Sequence, residues 1–372
     1  MKTGWKTRTL GDVATVVAGN SAPQDEALFK DGTIPFFRTA DAGRVRFGDI
    51  FEAKDRLNER GAAGLRRFQK GTILFPKSGA STFLNHRVLL CVDGCVSSHL
   101  ATIVADEAKA HPRFLLYFLS TVQSQDLVQD HAYPSLNLPT IAGISVPVPP
   151  IPEQKRIIGI LDEAFEGIAT AKANAEKNLQ NARALFESHL NAVFTQRGEG
   201  WVEKNFDEIC VLQRGFDLPS HSRKEGIFPL VSSNGITDRI DTWKVKAPGV
   251  VTGRSGTIGN VHYIEEDYWP LNTSLYIKDF HGNYERYIYY FLKQFDLSKY
   301  SSGAGVPTLN RNNVHGVKVW FPKDTAEQKS IATKLDALSE ETQRLESIYQ
   351  QKLAALEALK KSLLNQAFSG EL

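Results

Sequence analysis

One stretch of this 372-residue chain occurs twice. PPIPEQKRIIGILDEAFEGI begins at Pro149 and PKDTAEQKSIATKLDALSEET at Pro322, and Glu153-Gln154-Lys155 matches Glu327-Gln328-Lys329 at an offset of 174 residues. The same offset pairs Ile157 with Ile331, Leu161 with Leu335 and Asp162 with Asp336. Further on it pairs Leu185 with Leu359, Ser188 with Ser362, Leu190 with Leu364 and Phe194 with Phe368. A gapless register of about forty residues marks an internal repeat, and a repeat constrains architecture before any local feature does.

Each copy reads as one long helix. Pro147, Pro149, Pro150 and Pro152, and Pro322 before the second copy, cannot continue a helix but suit its approach. Apolar residues then recur at alternating steps of four and three. In the second copy the positions are Ile331, Leu335, Leu338, Thr342, Leu345, Tyr349, Lys352, Leu356, Leu359 and Leu363, with Leu353 beside Lys352 to fill that gap. The first copy matches them with Ile157, Leu161, Ala164, Ile168, Ala171, Ala175, Asn178, Ala182, Leu185 and His189, a thin seam suited to close approach. Sustained heptads argue for a coiled coil. Two such helices in one chain most simply pack on each other, and a globular block between them favours an antiparallel pair. The expected interface sets Ile157, Leu161, Ile168 and Leu185 against Ile331, Leu335, Leu338, Leu345, Leu356, Leu359 and Leu363.

The blocks before each helix also repeat. Trp5 through Val13 matches Trp201 through Ile209 at an offset of 196, Lys77-Ser78-Gly79 matches Arg254-Ser255-Gly256 at 177, and Pro134-Ser135-Leu136-Asn137 matches Pro307-Thr308-Leu309-Asn310 at 173. The drifting offset places length differences in the intervening segments, as expected of one scaffold carrying different loops. Strands are predicted at Ala14 to Ala18, Ile34 to Phe37, Gly71 to Phe75, Val88 to Val92, Leu100 to Val104 and Ile141 to Val148, with a helix at Pro112 to Thr121. The fold class is therefore α+β with a pseudo-twofold internal repeat. Its parts are a block at 1–148, a helix at 149–198, a second block at 199–321 and a distal helix at 322–372. A helix of about 42 residues spans about 63 Å. Two like readers on such a spacer suit a ligand with two sites, and a duplex has that scale.

Composition narrows the class. The chain is 42% hydrophobic and 23% charged, has no stretch long and apolar enough for a membrane span, and opens without the apolar core of a signal peptide. Three cysteines, an odd count, argue against a disulfide framework and for a reducing, cytoplasmic setting. A net charge of +2 requires any surface for nucleic acid to be local.

Candidate binding residues sit at the matched turns: Lys77, Ser78, Ser135 and Asn137 in the first block, Arg254, Ser255, Thr308, Asn310 and Arg311 in the second. Arg38, Arg44 and Arg46, and Arg214 and Asn234, add to the local supply of cations and amides. Arg and Asn read guanine and adenine bidentately, and a basic residue beside a hydroxyl suits phosphate. Turn capping explains Asn137 and Asn310 equally well. Gly71 to Ser78 approaches a phosphate-binding loop but has Pro76 where glycine is required, so nucleotide hydrolysis is not expected. His86, Cys91, Cys95 and His99 lack the spacing of a zinc site and have no equivalent in the second block; cysteines flanking a strand are more often small core residues. No metal ligand and no catalytic residue is assigned. The chain has no glycine-rich cofactor loop after a first strand, no nucleophile elbow and no His-Glu-x-x-His.

PPIPEQKRIIGILD and FPKDTAEQKSIATKLD, the openings WKTRTLGD and WVEKNFDEI, IPFFRTAD, GTILFPKSG and the terminal FSGEL together resemble the specificity (S) subunit of Type I restriction-modification systems, an HsdS-like protein, over essentially the whole length. The resemblance implies two target recognition domains, each reading one half of a split, asymmetric site in double-stranded DNA. It further implies an antiparallel coiled coil that sets the spacer and docks two methyltransferase subunits, joined for restriction by a motor-nuclease subunit. S-adenosylmethionine, ATP and Mg would then be bound by those partners and none by this chain, which would be no enzyme. A scaffold whose blocks bind proteins, or a free-standing DNA-modifying enzyme, are the alternatives; the second lacks its motifs.

Overall fold

A computed structural model describes residues 4–132, 134–196, 198–303 and 307–372. It divides into two compact units, Met1–Asn174 with Lys352–Leu372, and Ala175–Gln351, so each unit contains one block and one end of each long helix. Those helices run as Ile151–Thr195 and Thr325–Ser369.

In the first unit the block's two ends lie side by side: strand Lys6–Thr9 pairs antiparallel with Ser145–Val148, directly before the helix. A five-stranded sheet runs in the order Ala14–Ala18, Leu100–Ala105, Ile73–Pro76, Arg87–Leu90, Phe47–Ile50. A four-stranded sheet runs Asp55–Leu57, Ile34–Phe37, Gly94–Val96, Arg67–Phe68. The continuous apolar run Ile73–Pro76 is buried along its whole length, as a central strand requires. Helix Pro112–Thr121 has proline in its first turn, and the ring Nδ1 of His111 caps it by accepting from the Arg113 N–H at 3.2 Å. Its apolar face shares one core with Ile73, Phe75 and Ile103, and with Ile157, Leu161, Leu364 and Ala367 from the ends of the long helices.

The second unit keeps this plan. Trp201–Asn205 pairs antiparallel with Lys318–Pro322, and a four-stranded sheet runs Val211–Arg214, Ser274–Asp279, Gly249–Gly253, Val261–Ile264. Helix Glu285–Gln294 packs Tyr287, Tyr290 and Phe291 into a core with Leu212, Val250 and Phe321, closed by Phe186, Leu190, Ala332 and Leu335. The block openings form equivalent capping turns. The Thr9 N–H donates to Asp12 Oδ2 at 2.9 Å, and the Asn205 N–H to Glu208 Oε2 at 2.6 Å.

The helices pair antiparallel inside the units. In the first, Arg156 reaches the Leu372 carbonyl at 2.6 Å while Lys172 meets Glu357 at 2.7 Å; in the second, Arg183 meets Glu346 at 3.0 Å. Most expected seam positions are covered: Ile157, Leu161, Ile168, Ala175, Ala182, Leu335 and Thr342 are buried. Ile331, Leu338, Leu345, Leu356 and Leu363 are half-buried. Leu185 and Leu359 are corrections, being 61% and 48% exposed. Phe186 and Leu190 are buried instead of Leu185 and His189, and Lys360 is more covered than Leu359. A 3.6-residue helix drifts against a strict seven-residue count, and steps of four from Ala182 reach Phe186 and Leu190. The expected strand from Ile141 is also corrected. Asn137 caps a short helix, Leu138–Ala142, with Pro139 in its first turn, and the strand begins only at Ser145.

Candidate nucleic-acid interface

The matched turns meet. In the first unit Ser78 bridges to Ser135, and the Leu136 N–H donates to the Lys77 carbonyl at 2.8 Å. In the second, Ser255 bridges to Thr308, and the Leu309 N–H donates to the Arg254 carbonyl, also at 2.8 Å. Segments far apart in each block are thus hydrogen-bonded into one two-turn platform. On it stand Lys77, Ser78, Ser135 and Asn137 in one unit, Arg254, Ser255, Thr308 and Asn310 in the other.

The second platform borders an open cleft of about 640 Å³ lined by Gln213, Arg214, Arg254, Thr308, Asn310, Arg311 and Asn312. Arg214 lies 3.4 Å from Asp217, whereas Arg254 donates to the Asn272 carbonyl at 2.8 Å. Arg311 is exposed and makes no ion pair among the described residues. Beneath it, burial holds the His315 ring below its ordinary pKa, and its Nε2 accepts from the Leu212 N–H at 3.1 Å. Asn234 is on the adjoining turn, where its Oδ1 accepts from the Thr257 hydroxyl at 2.7 Å.

Both asparagines cap turns: Asn137 Oδ1 accepts from the Thr140 N–H at 2.8 Å, and Asn310 Oδ1 from the Asn312 N–H at 3.0 Å. Their oxygens are occupied by the backbone. Arg38, Arg44 and Arg46 belong to a different place, the helix Thr39–Val45 and its flanks. Arg38 contacts Asp55 at 2.5 Å beside the rings of Phe29 and Phe36, in a separate cleft of about 370 Å³. Arg44 contacts Asp41 at 2.5 Å, and Arg46 ends the helix with φ of 67°. Cys95 is buried among Ile34, Phe36, Leu57 and Ala62, and no group of side chains among the described residues is arranged to hold a metal ion.

Sequence reasoning passed over Gln213 and Asn312, and also four polar residues that fasten the blocks to the long helices. Gln154 is fully buried: its Oε1 accepts from the His111 N–H at 2.8 Å and its Nε2 donates to the carbonyls of Lys109 and Pro149 at 2.9 and 2.8 Å. Gln328 repeats this with the Tyr284 N–H at 2.8 Å, Asn283 Oδ1 at 2.9 Å and the Pro322 carbonyl at 3.0 Å. About two turns on, Asp162 accepts from the Tyr117 hydroxyl, and Asp336 accepts from the Tyr290 hydroxyl at 2.6 Å beside Arg286 at 2.6 Å. Burial and the neighbouring carboxylate push both tyrosines above their ordinary pKa. The signal was present: all four recur at the 174-residue offset, polar residues in an apolar frame.

The family model of the Type I restriction modification DNA specificity domain matches residues 2–180 and 198–357. Among curated proteins, the chain is 25% identical over 169 residues to the MjaIX specificity subunit of a type I restriction enzyme of Methanocaldococcus jannaschii, covering 44% of this chain and 38% of that one. It is 25% identical over 237 residues to a putative type I specificity subunit of Mycoplasma pneumoniae, covering 61% and 64%. The matched region thus spans less than two thirds of either relative. A solved chain from work on complex assembly and conformational transition of the type I R-M system covers 100% of this chain and 99% of its own length, with TM-score 0.83 and 18% identity. The HsdS subunit from Thermoanaerobacter tengcongensis covers 100% and 98%, with TM-score 0.62 and 17% identity. At those identities the likeness is one of fold.

Proposed function

This chain belongs to the family of Type I restriction-modification DNA specificity domains, and on that basis we propose that it is the subunit that selects the DNA sequence on which a Type I complex acts. Each block reads one half of a split target in double-stranded DNA. The observation that carries this is the double platform: one basic, hydroxyl-bearing pair of turns, built by the same backbone hydrogen bond in both units, with different side chains around it. Identical blocks would read a palindrome; diverged blocks on one frame read an asymmetric site.

In this assignment the chain performs no chemistry. Two methyltransferase subunits dock on the long helices and bind S-adenosylmethionine, and a motor-nuclease subunit supplies ATP- and Mg-dependent restriction. In this reading recognition belongs to 1–148 and 199–321 and spacing to 149–198 and 322–372, a division by role that cuts across the two compact units, each of which includes one end of each long helix. Work on chromosomal DNA places the complex in the cytoplasm.

The test is the adenine methylation map of the host genome with this gene intact and deleted. Loss of one split, asymmetric motif on deletion supports the assignment and gives the target. If the map is unchanged, and co-expression with the neighbouring methyltransferase gene also produces no new motif, the assignment fails.

A further inference from the structure

The two platforms share a frame, and the sheet ladders show residue by residue how their chemistry differs. In the first unit Ala18 lies opposite Ala101, which lies opposite Phe75. In the second, Arg214 lies opposite Leu275, which lies opposite Thr252. Phe75 and Thr252 sit equally far before the matched turns at Lys77 and Arg254, so Ala18 is the counterpart of Arg214 and Val17 that of Gln213. The hydrogen bonds from Leu136 to Lys77 and from Leu309 to Arg254 align the other turn. Leu138 is then the counterpart of Arg311, and Pro139 that of Asn312.

The second cleft therefore has three guanidiniums where the counterpart positions of the first unit carry the single ammonium of Lys77. It also has Gln213 and Asn312 where the first has Val17 and Pro139. The three guanidiniums are not equal. Arg214 is compensated by Asp217, and an exposed pair of that kind leaves little net charge for a ligand. Arg254 is steadied by a neutral carbonyl and Arg311 makes no ion pair among the described residues, so both keep their full charge at the mouth of the cleft. Guanidinium groups bind phosphate bidentately, and such contacts hold a protein in register on a duplex without reading bases.

We infer that the second cleft grips the duplex backbone through Arg254 and Arg311, and that the equivalent site of the first block contributes one such contact, from Lys77. This rests on the DNA-reading function proposed above and adds a division of labour to it. At the equivalent place the first block has Ala18 and the Asn137 amide beside Lys77, while Val17 and Leu138 pack against its cores, so its half of the target is held with less ionic help.

Counterion release makes the division measurable, because each neutralised phosphate adds about 0.9 to the slope of log affinity against log salt concentration. The full chain would be titrated with a fluorescently labelled duplex of mixed sequence over a range of potassium chloride. Arg254→Gln with Arg311→Gln should flatten the slope by about two, Arg311→Gln alone by about one, and Lys77→Gln by about one. Leu138→Arg, which writes the second cleft's cation into the first, should steepen it by about one. Arg311 is exposed, so its variant tests the idea without disturbing a core, whereas Leu138 is half-buried against the first unit's core and its variant is read beside a denaturant midpoint that matches the wild type. An unchanged slope in the double variant, or a Lys77→Gln effect as large as that of the double variant, would overturn the division of labour. A wild-type chain with no salt-dependent duplex binding would instead overturn the DNA-reading function beneath it.

Discussion

Gln154 and Gln328 are fully buried and each satisfies three polar groups, one buried and two part-buried, where a block meets its helix, and nothing apolar of their size can do so. Replacing either by alanine leaves a part-buried N–H and a buried carbonyl without these partners, at a cost of roughly 2–4 kcal/mol. Urea denaturation of the full chain would read this as a lower midpoint, and a midpoint shift no larger than a surface alanine gives would show that water fills the gap. The repeat brings both glutamines into register without assigning them a role. Their purpose was not legible, because it depends on the carbonyl of Lys109 and the side chain of Asn283, which reach them only through the fold. Two histidines set a pH limit on the same ground. His111 and His315 are held below the usual 6.5 chiefly by burial, and each accepts a backbone N–H that protonation would forfeit. The unfolded chain binds protons near 6.5 and the folded chain only at lower pH, so stability is complete above 6.5 and falls as pH drops through that window. Denaturant midpoints taken on either side of pH 6.5 should show this fall, and His111→Asn with His315→Gln should reduce it while keeping an acceptor at both places.

At the level of elements, the helices show where pattern reading holds and where it slips. Helix Pro112–Thr121 and strand Ala14–Ala18 were predicted to the residue, because proline entry and a β-branched run are local signals. The long seam holds at Ile157, Leu161, Ile168, Ala175 and Ala182, but Asn178 is exposed beside a half-buried Leu179 and the cover passes from Leu185 to Phe186, because a helix keeps 3.6 residues per turn and the heptad count does not. That difference can be measured. Leu185→Ala should change stability by no more than about 0.5 kcal/mol, as surface positions do. Phe186→Ala, in the second unit's core, should cost about 3–5 kcal/mol. Equal losses at the two positions would restore the strict heptad. The candidate site is legible in the same uneven way. Lys77, Ser135, Arg254 and Thr308 stood out as matched turns, whereas Gln213 and Asn312 become neighbours only through ladder register and turn pairing. Arg38 is a plausible cation whose partner Asp55 is brought to it only by the fold, whereas Arg44 and Asp41 stand at the i,i+3 spacing of an intrahelical pair in a short helix that the sequence reading did not place.

For the molecule as a whole, the telling fact is that neither long helix is interrupted where one compact unit gives way to the other. Continuous helix is stiff, so a spacer made of it should convert added residues into added distance. An insertion of about eighteen residues is about five full turns and about 27 Å. It therefore returns the seam to the same face, which a count that is not a whole number of turns would not do. Placed in both helices near Asn174 and Gln351, it should leave each block with its own helix ends and its own Gln154 or Gln328 latch. If the helices set the gap between the two half-sites, the methylated motif should keep both halves and gain a spacer of about eight base pairs, given about 3.4 Å per base pair along each strand. Sequencing the methylated motif of the lengthened protein, co-expressed with the methyltransferase proposed as its partner, decides the matter. A motif with its old spacer would mean that the partner subunits, and not the paired helices, fix the distance at which the halves are read.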